Sequence, residues 1–496
     1  MRRSLILAAL LAPLTACATL SNTARSYMTA PNGLQIDDDR VRSLLRRGMA
    51  DSAFRAVANR KSPLSPDDRL LRLLYQGTAA RYAGHERAAG EFFDQAFAVS
   101  EDRFTKSISR TAAALVTNDY ALPYTAGRNE RLLLHYNALL AWSAAGDVDA
   151  ASVEARRMVA LLDRAGDADA DERPMRAMLQ TLAAATFEQA GDWADADVAR
   201  RSAIALGAPL DSSWRAPDDS MGDVLVVIER GDVAHKVAVG LTLPIYSGDN
   251  VNENDGSFAA QRMLADFAAL RHGGVWWDDT PSWRFSNTRY GPLRGATASY
   301  LLDMSWPVLR RTSFLGGGPV SVSIDGTMGV SQQGASISDA IASDYRRDRG
   351  AIMSRTVARA VAKYLAARTV QAAAESAVSK SDDSDKKKKK KDDDARRTAG
   401  MMARFFANAT TTLLERADTR AWALLPSSVA VVRMRMPAGT HELLVDAAGT
   451  RQLSVAGVLV RGGRTTVVSA RLWREPGEGI RSMVERTAAN ESAPER

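Results

Sequence analysis

The sequence predicts an α+β multidomain chain: an N-terminal α-solenoid, then a discontinuous antiparallel β domain with a helical insertion. Three observations carry this prediction. Residues 36–210 are rich in Ala, Leu and Arg, and three stretches there place a glycine between two amphipathic segments. Near Met221 the pattern changes to short β-branched runs bounded by turn residues. Residues 338–417 return to helical spacing before strand patterns resume over 425–473. The 496 residues have room for two or three units at roughly 150 residues each. A hydrophobic content of 46% and a charged content of 25% are ordinary for a globular chain.

The glycine-centred stretches are 71–99, 132–162 and 178–206. The first carries Gly77, Gly84, Ala89, Phe93 and Ala96; the second Trp142, Gly146, Ala151 and Ala155; the third Phe187, Gly191, Ala196 and Ala203. Glycine tolerates positive φ in a turn, and Asp147 and Asp192 follow it where a carboxylate can cap the next helix. A small residue five positions after each glycine lets paired helices approach closely. This layout resembles the tetratricopeptide repeat (TPR). The turn glycines Gly84, Gly146 and Gly191 lie 62 and 45 residues apart, where a regular array gives about 34. The expectation is therefore an irregular TPR-like domain, with 100–130 holding a longer connection or a degenerate helix pair. The competing reading is an ordinary helical bundle without a groove. The repeat geometry implies that the first helix of each pair lines a concave face. That would turn Thr78, Arg81, Tyr82, Tyr136, Ser143, Glu188 and Gln189 towards a groove, a mixed polar and aromatic surface suited to a protein partner.

The β domain is expected in two parts, 221–337 and 425–473. In the first, 223–229 is a short apolar run, Arg230-Gly231-Asp232 a turn, and 235–243 an extended segment, together a hairpin. Residues 257–270 read as a short helix, and 273–291 as an aromatic loop holding Trp276, Trp277, Trp283 and Tyr290. Those four are a candidate glycan contact, or aromatics that cover the β core. Strand patterns return over 300–309 and 320–330. The run Gly316-Gly317-Gly318-Pro319 between them lacks the Lys and Ser/Thr that a phosphate loop needs. The second part reads as four short strands with turns at Pro437-Ala438-Gly439, Ala447-Ala448-Gly449 and Arg461-Gly462-Gly463-Arg464, a meander that joins the earlier strands in one domain. Its Pro-x-Gly turn and following His441 resemble PEGA-type surface modules.

Between the two parts, 338–417 reads as a helical hairpin. Its loop 381–394 sets six lysines, Lys386 to Lys391, between acidic runs. Opposite charges that nearly cancel favour a solvated, disordered loop over a lipid or polymer contact. The tail 475–496 is expected to be disordered.

No constellation in the sequence points to catalysis, a metal or a cofactor. The five histidines, His85, His135, His235, His272 and His441, lie in no ligand spacing. Cys17 is the only cysteine, and there is no GxSxG elbow. The expectation is a protein that is not an enzyme and needs no cofactor. The formal charge is +7, or +5 without Arg2 and Arg3, too mild to imply a nucleic-acid partner.

The N-terminus carries the sharpest expectation. Arg2 and Arg3 precede an apolar stretch from Leu5 to Leu14, and Leu14-Thr15-Ala16-Cys17 ends it. The apolar stretch falls short of the roughly 20 residues that span a bilayer. The segment resembles a bacterial lipoprotein signal, residues 1–16, with 17–35 a linker. The resemblance implies that Cys17 is acylated, with palmitate among its chains, and that several chains anchor the protein to the bilayer at ~0.8 kcal/mol per buried CH2. Ala18 and Thr19, where sorted proteins of the inner membrane carry Asp, favour the outer membrane and a periplasm-facing chain. The segment Asp418-Thr419-Arg420-Ala421-Trp422 through Pro426, with His441, is similar to an uncharacterised family of envelope lipoproteins with N-terminal TPR-like repeats. So is Glu130-Arg131 through His135-Tyr136-Asn137, with Gly146-Asp147 and Val153 to Arg157. The resemblance implies fold and location and brings no catalytic residues. The expected role is a protein-binding scaffold in cell-envelope or cell-wall assembly. The partners would be the bilayer, an envelope protein and a cell-wall or surface glycan. The alternatives are an accessory lipoprotein that binds or helps export polysaccharide and, behind it, a hydrolase with a site not visible in sequence.

Overall fold

The computed structural model describes residues 33–58, 68–106, 123–247, 297–310, 320–331, 334–379, 417–447 and 453–473. Eight helices come first: α1 (Gly33–Arg46), α2 (Ala50–Ala58), α3 (Arg69–Tyr82), α4 (Glu86–Lys106), α5 (Arg128–Ala144), α6 (Val148–Arg164), α7 (Arg173–Ala190) and α8 (Trp193–Ala205). Six strands follow: β1 (Met221–Arg230), β2 (His235–Ser247), β3 (Thr297–Arg310), β4 (Val320–Ile324), β5 (Thr327–Val330) and β6 (Ala335–Ser336). The long helix α9 (Ile337–Ser379) then leads to β7 (Ser428–Pro437), β8 (Gly439–Ala447), β9 (Leu453–Val460) and β10 (Thr465–Leu472). The chain is α+β.

The helices pack as successive pairs. Gly84, Gly146 and Gly191 make the turns at φ of 77°, 76° and 88°, values that a residue with a Cβ rarely adopts. Ala89, Ala151 and Ala196, five residues on, are fully buried between the paired helices. Asp147 caps α6 by accepting from Ala150 N at 3.1 Å. Asp192 makes no cap; it accepts from Arg156 Nη2 at 2.6 Å and ties α6 to the α8 turn instead.

The strands form two four-stranded sheets and one ribbon. The inner sheet has the order β10-β1-β7-β6, with β1 parallel to β10 and antiparallel to β7. The outer sheet has the order β5-β4-β8-β9, and β2 pairs with β3 alone. The sheets face each other through Val224, Val226, Ile228, Val432 and Met434 on one side and Val322, Ile324, Leu443, Val445 and Val455 on the other. Leu225 and Val227, on the opposite face of β1, enter a second core with the helices. Both faces of β1 are therefore covered, which is why it is a continuous apolar run.

Three expectations are corrected. Residues 223–229 and 235–243 do not pair: β1 joins β7 and β10, and β2 joins β3. The meander over 428–473 is divided, with β7 and β10 flanking β1 in the inner sheet and only β8–β9 forming a hairpin in the outer one. The stretch 320–330 is a tight hairpin of β4 and β5, turned by Asp325 and Gly326 at φ of 44° and 83°. Aside from Ala417, the second helix of the expected 338–417 hairpin lies outside the described residues, as do 1–16, 257–270, 316–319, 381–394 and 475–496.

Candidate functional site

The residues predicted to line a groove do converge, but they meet the chain's own inner sheet and the segment 417–427. Both cover that face of the helices. The face of the inner sheet turned to the helices carries the row Glu229–Arg471 at one end and the row Asp223–Thr465–Arg435 at the other, with Leu225, Val227 and Val467 between. The helices supply a complement for each row.

At the first row, Arg81 Nη2 donates to both oxygens of Glu229, at 2.7 and 2.9 Å, and Tyr136 Oη donates to Oε1 at 2.9 Å. Burial pushes the Tyr82 hydroxyl up to about 12, despite the Arg471 guanidinium nearby. The Tyr82 ring meets Trp473 edge-on at 5.1 Å, and the Arg471 guanidinium lies 4.2 Å from that Trp ring. At the second row, Glu188 accepts from Arg433 Nη2 at 2.5 Å and from Thr465 Oγ1 at 2.6 Å. Asp223 accepts from Arg435 Nε at 2.8 Å, Arg433 Nη2 at 2.7 Å and Trp214 Nε1 at 2.7 Å. Burial opposes ionisation of Asp223, but Arg435 and Arg433 overcome it and hold its carboxyl below the usual range. Segment 417–427 fills the remaining space. Trp422, 1% exposed, donates from Nε1 to Thr78 Oγ1 at 2.9 Å, and Tyr75 Oη donates to the Ala421 carbonyl at 3.2 Å. Ser143 is buried and Gln189 half-buried in the same layer.

Among the described residues, a cleft of about 330 Å³ lies where the helical layer, α9, the base of the β2–β3 ribbon and segment 418–425 meet. Val233, Ala234, Leu309, Ile341, Ile352 and Trp422 give it apolar walls. Glu130, Asp344, Asp348 and Asp418 line it together with Lys236, Arg355 and Arg420. Arg420 is held by Asp418, at 2.8 Å, and by Asp68, also at 2.8 Å. Glu130, in the first turn of α5, accepts from Gly127 N at 2.9 Å and from Tyr124 Oη at 2.7 Å. Asp344 reaches from α9 to the same helix start, accepting from Asn129 N at 2.7 Å and Asn129 Nδ2 at 3.1 Å. Burial raises its carboxyl to about 7, although the Asn129 amide favours the charged form.

Glu172 locks α9 against the helices behind this cleft. It accepts from Arg347 Nη1 and Arg128 Nη2 at 2.5 Å each and from Arg176 Nη2 at 2.8 Å. Burial works against its charge, but these arginines and Asn129 hold its carboxyl far below the usual range. None of these roles was readable from local sequence. The only local signal was Glu229 at the end of the apolar run 224–228, a buried charge that requires a partner.

The described histidines occupy separate places. His135 Nδ1 meets Glu154 Oε2 at 2.6 Å inside the helical layer, His441 Nδ1 meets Asp325 Oδ2 at 2.6 Å on the outer sheet, His85 lies beside Asp51, and His235 near Arg42. Among the described residues no group of three or more His, Cys, Asp or Glu could hold a metal ion, and no helix is long and apolar enough to cross a membrane. Cys17 and the candidate glycan contacts Trp276, Trp277, Trp283 and Tyr290 lie outside the described residues. No family model matches the chain, and no curated protein matches it.

Proposed function

We propose that the chain is a lipid-anchored protein of the bacterial outer membrane, facing the periplasm, and that it acts as a protein-binding scaffold in cell-envelope or cell-wall assembly. Cys17 and the residues before it support the anchor: a basic start, a short apolar stretch and a cysteine straight after Ala16. In this reading the helical layer is an irregular TPR-like solenoid whose concave side holds the protein's own PEGA-like sheet in place of a foreign partner. Partner binding then belongs to a surface that this contact leaves accessible. The observation that carries the reading is the cleft between α5, α9, β3 and segment 418–425, where chain regions far apart in sequence converge on one apolar hollow with charged groups.

Ala351 lines the cleft and is exposed, so a photo-crosslinking residue there tests the reading in intact cells. The expected result is one discrete protein adduct, lost when Cys17→Ala removes the anchor. A probe at Val153, exposed on α6, serves as the control. Adducts from Val153 with none from Ala351 would overturn the assignment of partner binding to the cleft.

A further inference from the structure

We propose that the cleft receives one positively charged side chain of an extended peptide segment and seats its ammonium or guanidinium group on Asp344. This inference rests on reading the cleft as the partner site and names the chemistry of what enters it.

The shape comes first. A hollow of about 330 Å³ has room for a long side chain with part of its backbone. The walls of Val233, Ala234, Ile341, Ile352 and Trp422 suit the methylene stem of such a side chain. The way to Asp344 passes Gly127, where a Cβ would sit 2.8 Å from Asp344 Oδ2. Any other residue there would crowd the carboxylate.

The charge comes second. Asp344 takes its two close hydrogen bonds from neutral donors of Asn129. Its nearest guanidinium, Arg347 Nη1 at 3.5 Å, is committed to Glu172 at 2.5 Å, and Arg347 Nη2 to Asp169 at 3.0 Å. Glu172, by contrast, has three arginines. The charged groups around Asp344 are Glu130 and Arg128 from α5, Asp169 and Glu172 from the loop before α7, and Arg347, Asp348 and Arg355 from α9. Lys236 stands at the ribbon base, while Asp418, Arg420 and Asp68 satisfy one another. Asp344 is therefore a largely buried carboxyl without full compensation, and a ligand cation would supply what is missing. Because basic and acidic groups share the lining, a single cation flanked by apolar residues fits better than a polybasic run.

Binding of an acetylated, amidated Ala-Leu-Lys-Leu-Ala peptide to the full-length chain in detergent tests this, against the same peptide with norleucine for lysine. The lysine peptide is expected to bind at least tenfold tighter. Asp344→Asn, which keeps the side-chain shape, should remove that difference. Wild-type affinity for the lysine peptide should rise from pH 6 to pH 8 as the carboxyl ionises. Ala351→Trp, at an exposed position, should block both peptides without disturbing the core. Equal binding of the two peptides, no binding of either at millimolar concentration, or a lysine preference that survives Asp344→Asn would each overturn the proposal. An Ala351 adduct in cells alongside failure of both peptides would leave the scaffold reading standing and remove this inference alone.

Discussion

Arg81 on α3 and Glu229 on β1 lie 148 residues apart, yet one guanidinium nitrogen donates to both carboxylate oxygens, with each side chain 1% exposed. This pair and the Glu188–Arg433 pair at the other end of the sheet join one face of the helical layer to the inner sheet. Between them the contact is apolar, through Leu225, Val227 and Val467. The charged pairs flank this apolar middle at both ends.

Breaking one side of the Arg81–Glu229 pair should therefore cost more than removing both. Arg81→Met leaves a buried carboxylate and should destabilise by about 3–5 kcal/mol in urea unfolding. The double variant Arg81→Met, Glu229→Leu should recover at least half of that loss. Equal losses in single and double variants would mean that the charges do not face each other.

Trp422 is fully enclosed and hydrogen-bonded to Thr78. Trp422→Ala should cost about 3–5 kcal/mol through the cavity it leaves. Trp422→Phe keeps most of the packing and loses the Nε1–H bond, so about 1 kcal/mol is expected from that bond, together with a smaller loss of packed volume. A Phe variant as unstable as the Ala variant would count against the bond.

His441 has an acceptor at each ring nitrogen, Asp325 Oδ2 at 2.6 Å and the Pro437 carbonyl at 2.8 Å, an arrangement that favours the imidazolium, which can donate from both. Slight burial opposes the charge, but Asp325 and Pro437 raise the pKa above its ordinary value of 6.5. The stabilisation is then complete below pH 6.5 and is lost as pH rises through the higher folded value. Urea midpoints measured from pH 6 to pH 9 should fall more for the native chain than for His441→Gln. Parallel curves would remove the clasp between the β4–β5 and β7–β8 turns.

Asp344 produces a slope of the same direction in a lower window. Its folded value of about 7 lies above the ordinary 3.8, so the folded state holds a proton that the unfolded state has released. Stability should fall from about pH 4 to about pH 7, and Asp344→Asn should flatten that fall. Glu172 acts oppositely: its depressed value contributes stability above pH 4.5 that is lost on acidification. Native and Asp344→Asn profiles that run parallel from pH 4 to pH 7 would exclude the buried, raised Asp344.

Local signals in the sequence read well. The turn glycines, the alanines five residues on and the continuous apolar β1 follow from backbone sterics and burial, and each has its place in the structure. Strand partners were not legible. β1 pairs with strands some 200 residues later, and no local pattern carries that choice. Asp325-Gly326, by contrast, is itself a hairpin dipeptide, and it splits 320–330 into two strands. The seven residues from Thr78 to Gln189 lie on the first helix of each pair, as the repeat layout implies, but that layout says nothing of what covers them. The cleft was invisible because Gly127, Leu309, Asp344 and Trp422 come from four distant segments.

Hydrogen–deuterium exchange of the full-length chain tests the contact between the helices and the inner sheet most directly. If α3, α5 and α7 clasp the inner sheet, peptides from 69–82, 128–144 and 173–190 should exchange as slowly as those from 221–230. Glu229→Gln should speed all of them together while leaving the outer-sheet hairpin 439–460 unchanged. Exchange in these three helices as fast as in the outward helices α4, α6 and α8, and unmoved by Glu229→Gln, would mean that the concave side is an open groove.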